Sequence, residues 1–194
     1  TENERKFVID LGCEEEIAGL ASKKYLIAQG YMVTTKGITV RARKRFDYRS
    51  KDKNHFQYYF TLKANAGGRC VEIEKQIDKR DFNDLWSICL NKLEKIRYVV
   101  THKRTANSNH AWELDFFKDY QNETYFALAE IELPEGKEAP DVIPDFVKNN
   151  LLFEVPLTDN RFGNKLLGDA RYAANILQDI KSANFKDMDN VEST

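Results

Sequence analysis

The chain has 194 residues, 42% hydrophobic and 12% aromatic, with 30 Lys and Arg against 31 Asp and Glu for a net charge of −1. That length suits one domain with a sizeable core, and that aromatic content excludes a disordered charged tail. The charge balance argues against a nucleic-acid binder, and no apolar run approaches the roughly 20 residues of a membrane span.

Along the chain, the charged opening Thr1-Glu2-Asn3-Glu4 lacks the apolar stretch of a secretory leader. Period-2 alternation predicts a first strand over residues 2–9, followed by a short helix over 14–22. Four further strands are expected over 25–33, 39–46, 57–63 and 69–77. Residues 47–54 between them read as a solvated loop or arm. Phe82, Leu85, Trp86, Cys89 and Leu93 recur at helical spacing, which predicts a helix over 80–93 with Asp78 or Asp81 as its cap. Strands over 95–103, 111–117 and 125–133 complete a set of eight. The Pro-rich segment 134–140 is a loop, 141–149 a short helix, and 159–181 a long helix. Residues 1–180 form a single domain in this reading, and 181–194 a polar, flexible tail. Cys13, Cys70 and Cys89 are odd in number and lack metal-ligand spacing, which fits buried thiols in a reducing cytoplasm. None of His55, His102 and His110 reads as a ligand.

The informative residues are those on the polar half of each alternation. Glu2, Glu4 and Lys6 share one face of the first strand, and Arg41, Arg43 and Arg45 one face of the third. Thr61 and Lys63, Glu72 and Glu74, Lys95 and Arg97, Glu113 and Asp115, and Glu130 and Glu132 repeat the habit. A merely wet strand face would carry Thr or Tyr more readily than Glu, Lys or Asp. Like charges at i and i+2 also repel, so the economical arrangement is one shared surface on which the signs alternate between strands. Closure of eight strands would make that surface a lumen and remove the exposed edges. A lumen so charged is costly unless filled. Its Arg and Lys suit phosphate oxygens, and its carboxylates suit Mg²⁺ or Mn²⁺ between them and the anion. The residues alone therefore point to a metal-dependent phosphate-chain site.

Glu2-Asn3-Glu4-Arg5-Lys6 resembles the Glu-x-Glu-x-Lys signature of the CYTH superfamily, the triphosphate tunnel metalloenzymes. In the family's order there follow Gln29-Gly30-Tyr31, Val40-Arg41-Ala42-Arg43, Thr61-Leu62-Lys63, Glu72-Ile73-Glu74 and Lys95-Ile96-Arg97. Trp112-Glu113-Leu114-Asp115-Phe116 and Ala129-Glu130-Ile131-Glu132 come next. Asp159-Asn160-Arg161-Phe162-Gly163-Asn164-Lys165-Leu166-Leu167 is similar to the family's Arg-Tyr-x-Asn-x-x-Leu segment, with Phe162 in place of the usual Tyr.

The resemblance implies a β-dominated α+β fold, a closed eight-stranded antiparallel tunnel with helices outside and a C-terminal helix near one end. It implies metal-dependent hydrolysis of a triphosphate inside that tunnel, inorganic triphosphate first, with nucleoside and thiamine triphosphates as the other substrates of the family. By carry-over, Glu2, Glu4, Glu130 and Glu132 would bind Mg²⁺ or Mn²⁺, and Lys6, Arg41, Arg43, Lys63, Lys95 and Arg97 the phosphates. Glu72 and Glu74 would orient these cations or position the attacking water, and Lys165 would reach the phosphate from the last helix or activate that water. Two alternatives stay open: a class IV adenylyl cyclase, whose base could stack in the aromatic run 55–59, and a non-catalytic polyphosphate- or nucleotide-binding module. The reading carries no nucleic-acid or membrane partner and leaves a homodimer open.

Overall fold

A computed structural model describes residues 3–52, 55–66, 69–105 and 108–192. Its elements are β1 (Glu4–Ile9), α1 (Glu14–Leu20), β2 (Lys23–Tyr31), β3 (Ile38–Asp47), β4 (Phe56–Ala66), β5 (Arg69–Ile77) and α2 (Lys79–Ile88). There follow β6 (Asn91–Thr105), β7 (Ser108–Lys118), β8 (Thr124–Glu132), α3 (Asp145–Lys148), β9 (Leu151–Val155), α4 (Asn164–Leu167) and α5 (Ala170–Glu192). The fold is α+β and β-dominated. The strands form one antiparallel sheet in the order β5-β4-β3-β2-β6-β7-β8-β1-β9. No helix among the described residues is long and apolar enough to cross a membrane.

Two features differ from the closed eight-stranded tunnel. The sheet has a ninth strand, and it is open, with β5 and β9 at its two ends. The reason lies in the pairing of β1. It is bonded to β8 on one side and to β9 on the other, so β1 offers no free edge on which β5 could close the ring. The sheet still curls. Gln29, Thr61, Lys95 and Glu130 of its polar face are buried, which a flat sheet open to water on that face would not allow.

Alternation separates the two faces. Phe7, Ile9, Ile96, Tyr98, Trp112, Leu114 and Phe116 form the apolar core of one face beneath α1 and α3, which contribute Ile17, Phe146 and Val147. Ala42 of the same face packs with Phe82 and Cys89 at α2. The opposite face is divided along its strands. At one end Val8, Leu93, Phe117, Phe126 and Leu128 are covered by Phe162, Leu167 and the α5 residues Ala173, Ile176 and Leu177. At the other end the same strands carry the charged residues.

Helix α2 is shorter than the expected 80–93. It starts as expected, with the Asp78 carboxylate accepting from the Asp81 N–H at 2.8 Å. It stops at Ile88 because Leu93, Lys95 and Arg97 extend a period-2 run, and the Leu90 N–H already donates to Tyr31 O. The expected helix over 159–181 is a 3-10 turn (Asn160–Phe162), α4 and α5 in succession, and α5 runs on to Glu192 through the segment read as a tail.

Candidate functional site

Register places the charged residues on one face. Lys6 pairs with Glu130, and Glu4 with Glu132. Arg41, Arg43 and Arg45 lie opposite Tyr31, Gln29 and Ile27 on β2, and opposite Thr61, Tyr59 and Gln57 on β4. Glu74 and Glu72 face Thr61 and Lys63. Arg97 pairs with Asp115, and Glu113 with Glu130. The sequence-derived site residues Glu4, Lys6, Arg41, Arg43, Lys63, Glu72, Glu74, Lys95, Arg97, Glu130 and Glu132 therefore share a surface. Glu2 lies outside the described residues.

The densest part is a buried charge network on β6, β7, β8 and β1. Lys95 is fully buried, donating to Asp115 and, at 2.8 Å, to Asn164 Oδ1 at the start of α4. Arg97 holds Asp115 in a two-pronged contact, Nε to Oδ1 and Nη2 to Oδ2, both at 2.7 Å. It also donates to Glu113 and, at 3.2 Å, to Glu130. Burial lowers the Lys95 pKa to about 8, and Asp115 only partly offsets it. Burial alone would raise the Asp115 carboxyl, but Arg97 and Lys95 hold it well below the usual range. For Lys6 burial opposes the charge, and Glu130 and Glu4 outweigh it and raise the pKa.

Across the curl lies the basic half. Arg41 donates to Thr61 Oγ1 at 3.1 Å and pairs with Glu74 at 3.2 Å. Thr61 in turn donates to Glu74 at 2.9 Å, and Lys63 pairs with Glu72 at 3.4 Å. Glu72 and Glu74 sit exposed on the edge strand and orient cations. Arg43 differs: its Nε donates to Gln29 Oε1 at 3.3 Å, and among the described residues it has no ion pair. Burial, with the like charges of Arg41 and Arg97, lowers its pKa to about 10. Gln29, fully buried, donates in turn to the Tyr31 hydroxyl at 2.9 Å. Burial raises the Tyr31 pKa, with Arg41 and Arg43 pulling against it.

Lys165 is not brought into this network. It is exposed on α4, and the neighbouring Asn164 makes the contact with Lys95 instead. Phe162 fills an apolar site against Phe126 and Phe153, where a hydroxyl would need a partner. Gln29, Tyr31 and Asn164 are the residues that charge counting missed. All three stood inside motifs already marked, but a neutral side chain carries no sign to betray it.

The residues suited to a hard cation are Glu4, Glu130 and Glu132. Glu130 Oε1 is buried and receives no aligned hydrogen bond, although Lys6 Nζ lies 3.3 Å away. Glu4 and Glu132 are register partners beside it. Oxygen donors alone, with one carboxylate oxygen unsatisfied, fit Mg²⁺ or Mn²⁺ in kind. Among the described residues, however, no three His, Cys, Asp or Glu side chains are gathered into a metal-holding group.

No protein-family model matches the chain, and no curated protein matches it. Among solved structures it is similar to the crystal structure of the hypothetical protein NE1496, at 28% identity over 87% of this chain and 97% of that one, with a TM-score of 0.51.

Proposed function

We propose that the curved polar face binds the phosphate chain of a triphosphate, inorganic triphosphate in the first instance, and hydrolyses it with the help of a divalent cation. The observation that carries this reading is Arg43, a half-buried cation beside Arg41 and Arg97 that makes no ion pair among the described residues and feels only the more distant Glu74, which pairs with Arg41. A protein gains nothing from desolvating a third guanidinium there unless an anion arrives to use it. The ordered set of CYTH-like motifs, whose strand-borne members have residues on this one face, supports the same reading.

In this mechanism Arg41, Arg43 and Arg97 grip the nonbridging oxygens, and Gln29 and Thr61 hold two of those guanidiniums in place. Lys6 and Lys95 add positive potential from the opposite wall. Phosphoryl transfer asks mainly for such positioning and charge stabilisation, so no covalent nucleophile is required. Mg²⁺ or Mn²⁺, held by Glu4, Glu130 and Glu132, would supply neutralisation of the terminal phosphate oxygens. Glu74 and Glu72 orient Arg41 and Lys63. An adenine pocket has little support, because the rings of the aromatic run are engaged: Tyr58 with Phe82, Phe56 with Phe46, and Tyr59 with Arg45.

The test is a product assay with Mg²⁺ and with Mn²⁺ on inorganic triphosphate and ATP in parallel. Orthophosphate is expected, faster from triphosphate, and Glu4→Gln should lower kcat by on the order of a hundredfold with the fold intact. Cyclic AMP and pyrophosphate from ATP would replace hydrolase by cyclase. Tight triphosphate binding without turnover would reduce the protein to a receptor.

A further inference from the structure

Arg45 is the third arginine of the β3 row, and neither the ion-pair network nor the proposed triphosphate grip uses it. Its surroundings are built. The guanidinium lies 4.9 Å from the Tyr25 ring centroid and 5.2 Å from that of Tyr59. Nε and Nη2 donate to Gln57 Oε1 at 3.1 and 2.7 Å, and Nη2 also donates to the Tyr59 hydroxyl at 3.0 Å. No carboxylate pairs with it among the described residues, and Nη1 has no hydrogen-bond partner there. A guanidinium fixed by two rings and an amide, with the two N–H donors of Nη1 unspent, is preorganised for an anion.

Position says which anion. Residues two apart on a strand share a face, so Arg41, Arg43 and Arg45 form one straight row. At about 3.3 Å per residue the row spans roughly 13 Å between the first and last Cα. A triphosphate has only two anhydride bridges and engages the inner part of that row. We infer that Arg45 is a chain-length subsite, which takes the fourth phosphoryl group of a linear inorganic tetraphosphate or longer chain.

The inference rests on the phosphate-chain reading of the same face, and titration calorimetry separates the two. Wild-type protein is titrated with inorganic triphosphate and with linear inorganic tetraphosphate at low salt without divalent metal, so that no turnover intervenes. Tetraphosphate should bind about tenfold or more tightly than triphosphate. Arg45→Gln should erase that preference and leave triphosphate affinity within about twofold. Arg45→Lys, which keeps the charge without the fork, should fall between, and it serves as the reading if the glutamine variant does not fold. Equal affinity for both anions in the wild type, or a preference that survives in Arg45→Gln, overturns the subsite while leaving the triphosphate grip standing. Absence of binding by either anion overturns both.

Discussion

Lys95 has the most unusual setting of any side chain on the polar face. It is fully buried, with Asp115 and Asn164 as partners, and its pKa falls to about 8. Below pH 8 it is an ammonium and adds to the attraction for a phosphate chain. As pH rises through 8 that charge is lost, while Arg43, lowered only to about 10, still holds its proton. Triphosphate affinity should therefore be flat from about pH 6.5 to 7.5 once the ligand's own ionisation is allowed for, and decline between pH 8 and 9.5. Lys95→Arg should flatten the decline, because an arginine keeps its charge there. Calorimetric affinities at four pH values test this, and an equally steep decline in the arginine variant would remove Lys95 as its source. Motif spacing put Lys95 on the polar face of its strand, where the sheet has it. Its complete burial and its bond to Asn164 were not legible, because the helix that brings Asn164 lies about 70 positions away in the chain and only the folded sheet joins them.

At the scale of elements, strands were far more legible than helices. Every one of the eight expected strands exists, since alternation over five or more residues reports directly on a half-buried sheet. The ninth strand, Leu151–Val155, was missed because Leu151-Leu152-Phe153 shows no alternation and is apolar on consecutive positions. The end of α2 was missed because Cys89 and Leu93 fit both a helical stripe and the start of a strand. That junction is tight. A Cβ on Gly30 would lie 2.8 Å from Cys89 Cβ, 2.9 Å from its Sγ and 3.2 Å from Trp86. Only glycine lets α2 sit down on β2 at this point. Gly30→Ala should cost about 1–3 kcal/mol in urea denaturation, the range for an overpacked contact, with part of the loss recovered by adding Cys89→Ala. A loss below about 0.5 kcal/mol would mean that α2 shifts freely and is not seated as described.

For the whole molecule, the face carries Glu4, Glu72, Glu74, Glu113, Asp115, Glu130 and Glu132 against Lys6, Arg41, Arg43, Arg45, Lys63, Lys95 and Arg97, equal numbers of each sign. Sequence patterning exposed that inventory almost completely. It did not reveal that the sheet stays open, because closure depends on which strand takes the free edge of β1, a competition that no local pattern records. An open, self-neutralised face has a thermodynamic consequence. Its cations are held partly by its own carboxylates, so a phosphate chain must compete with them, and a divalent cation on the carboxylates relieves that competition. Inorganic triphosphate should raise the melting temperature without metal, and Mg²⁺ should enlarge the effect. At about a hundredfold above Kd, linkage gives about 2.7 kcal/mol, or roughly 5–10 °C for a chain of this size. Added salt should shrink the shift steeply, since exposed members of the network are screened over about 8–10 Å. A scanning calorimetry series with triphosphate, triphosphate plus Mg²⁺, and sodium chloride at matched ionic strength reads all three effects. A shift no larger with triphosphate than with chloride would show that the face neutralises itself and recruits no anion.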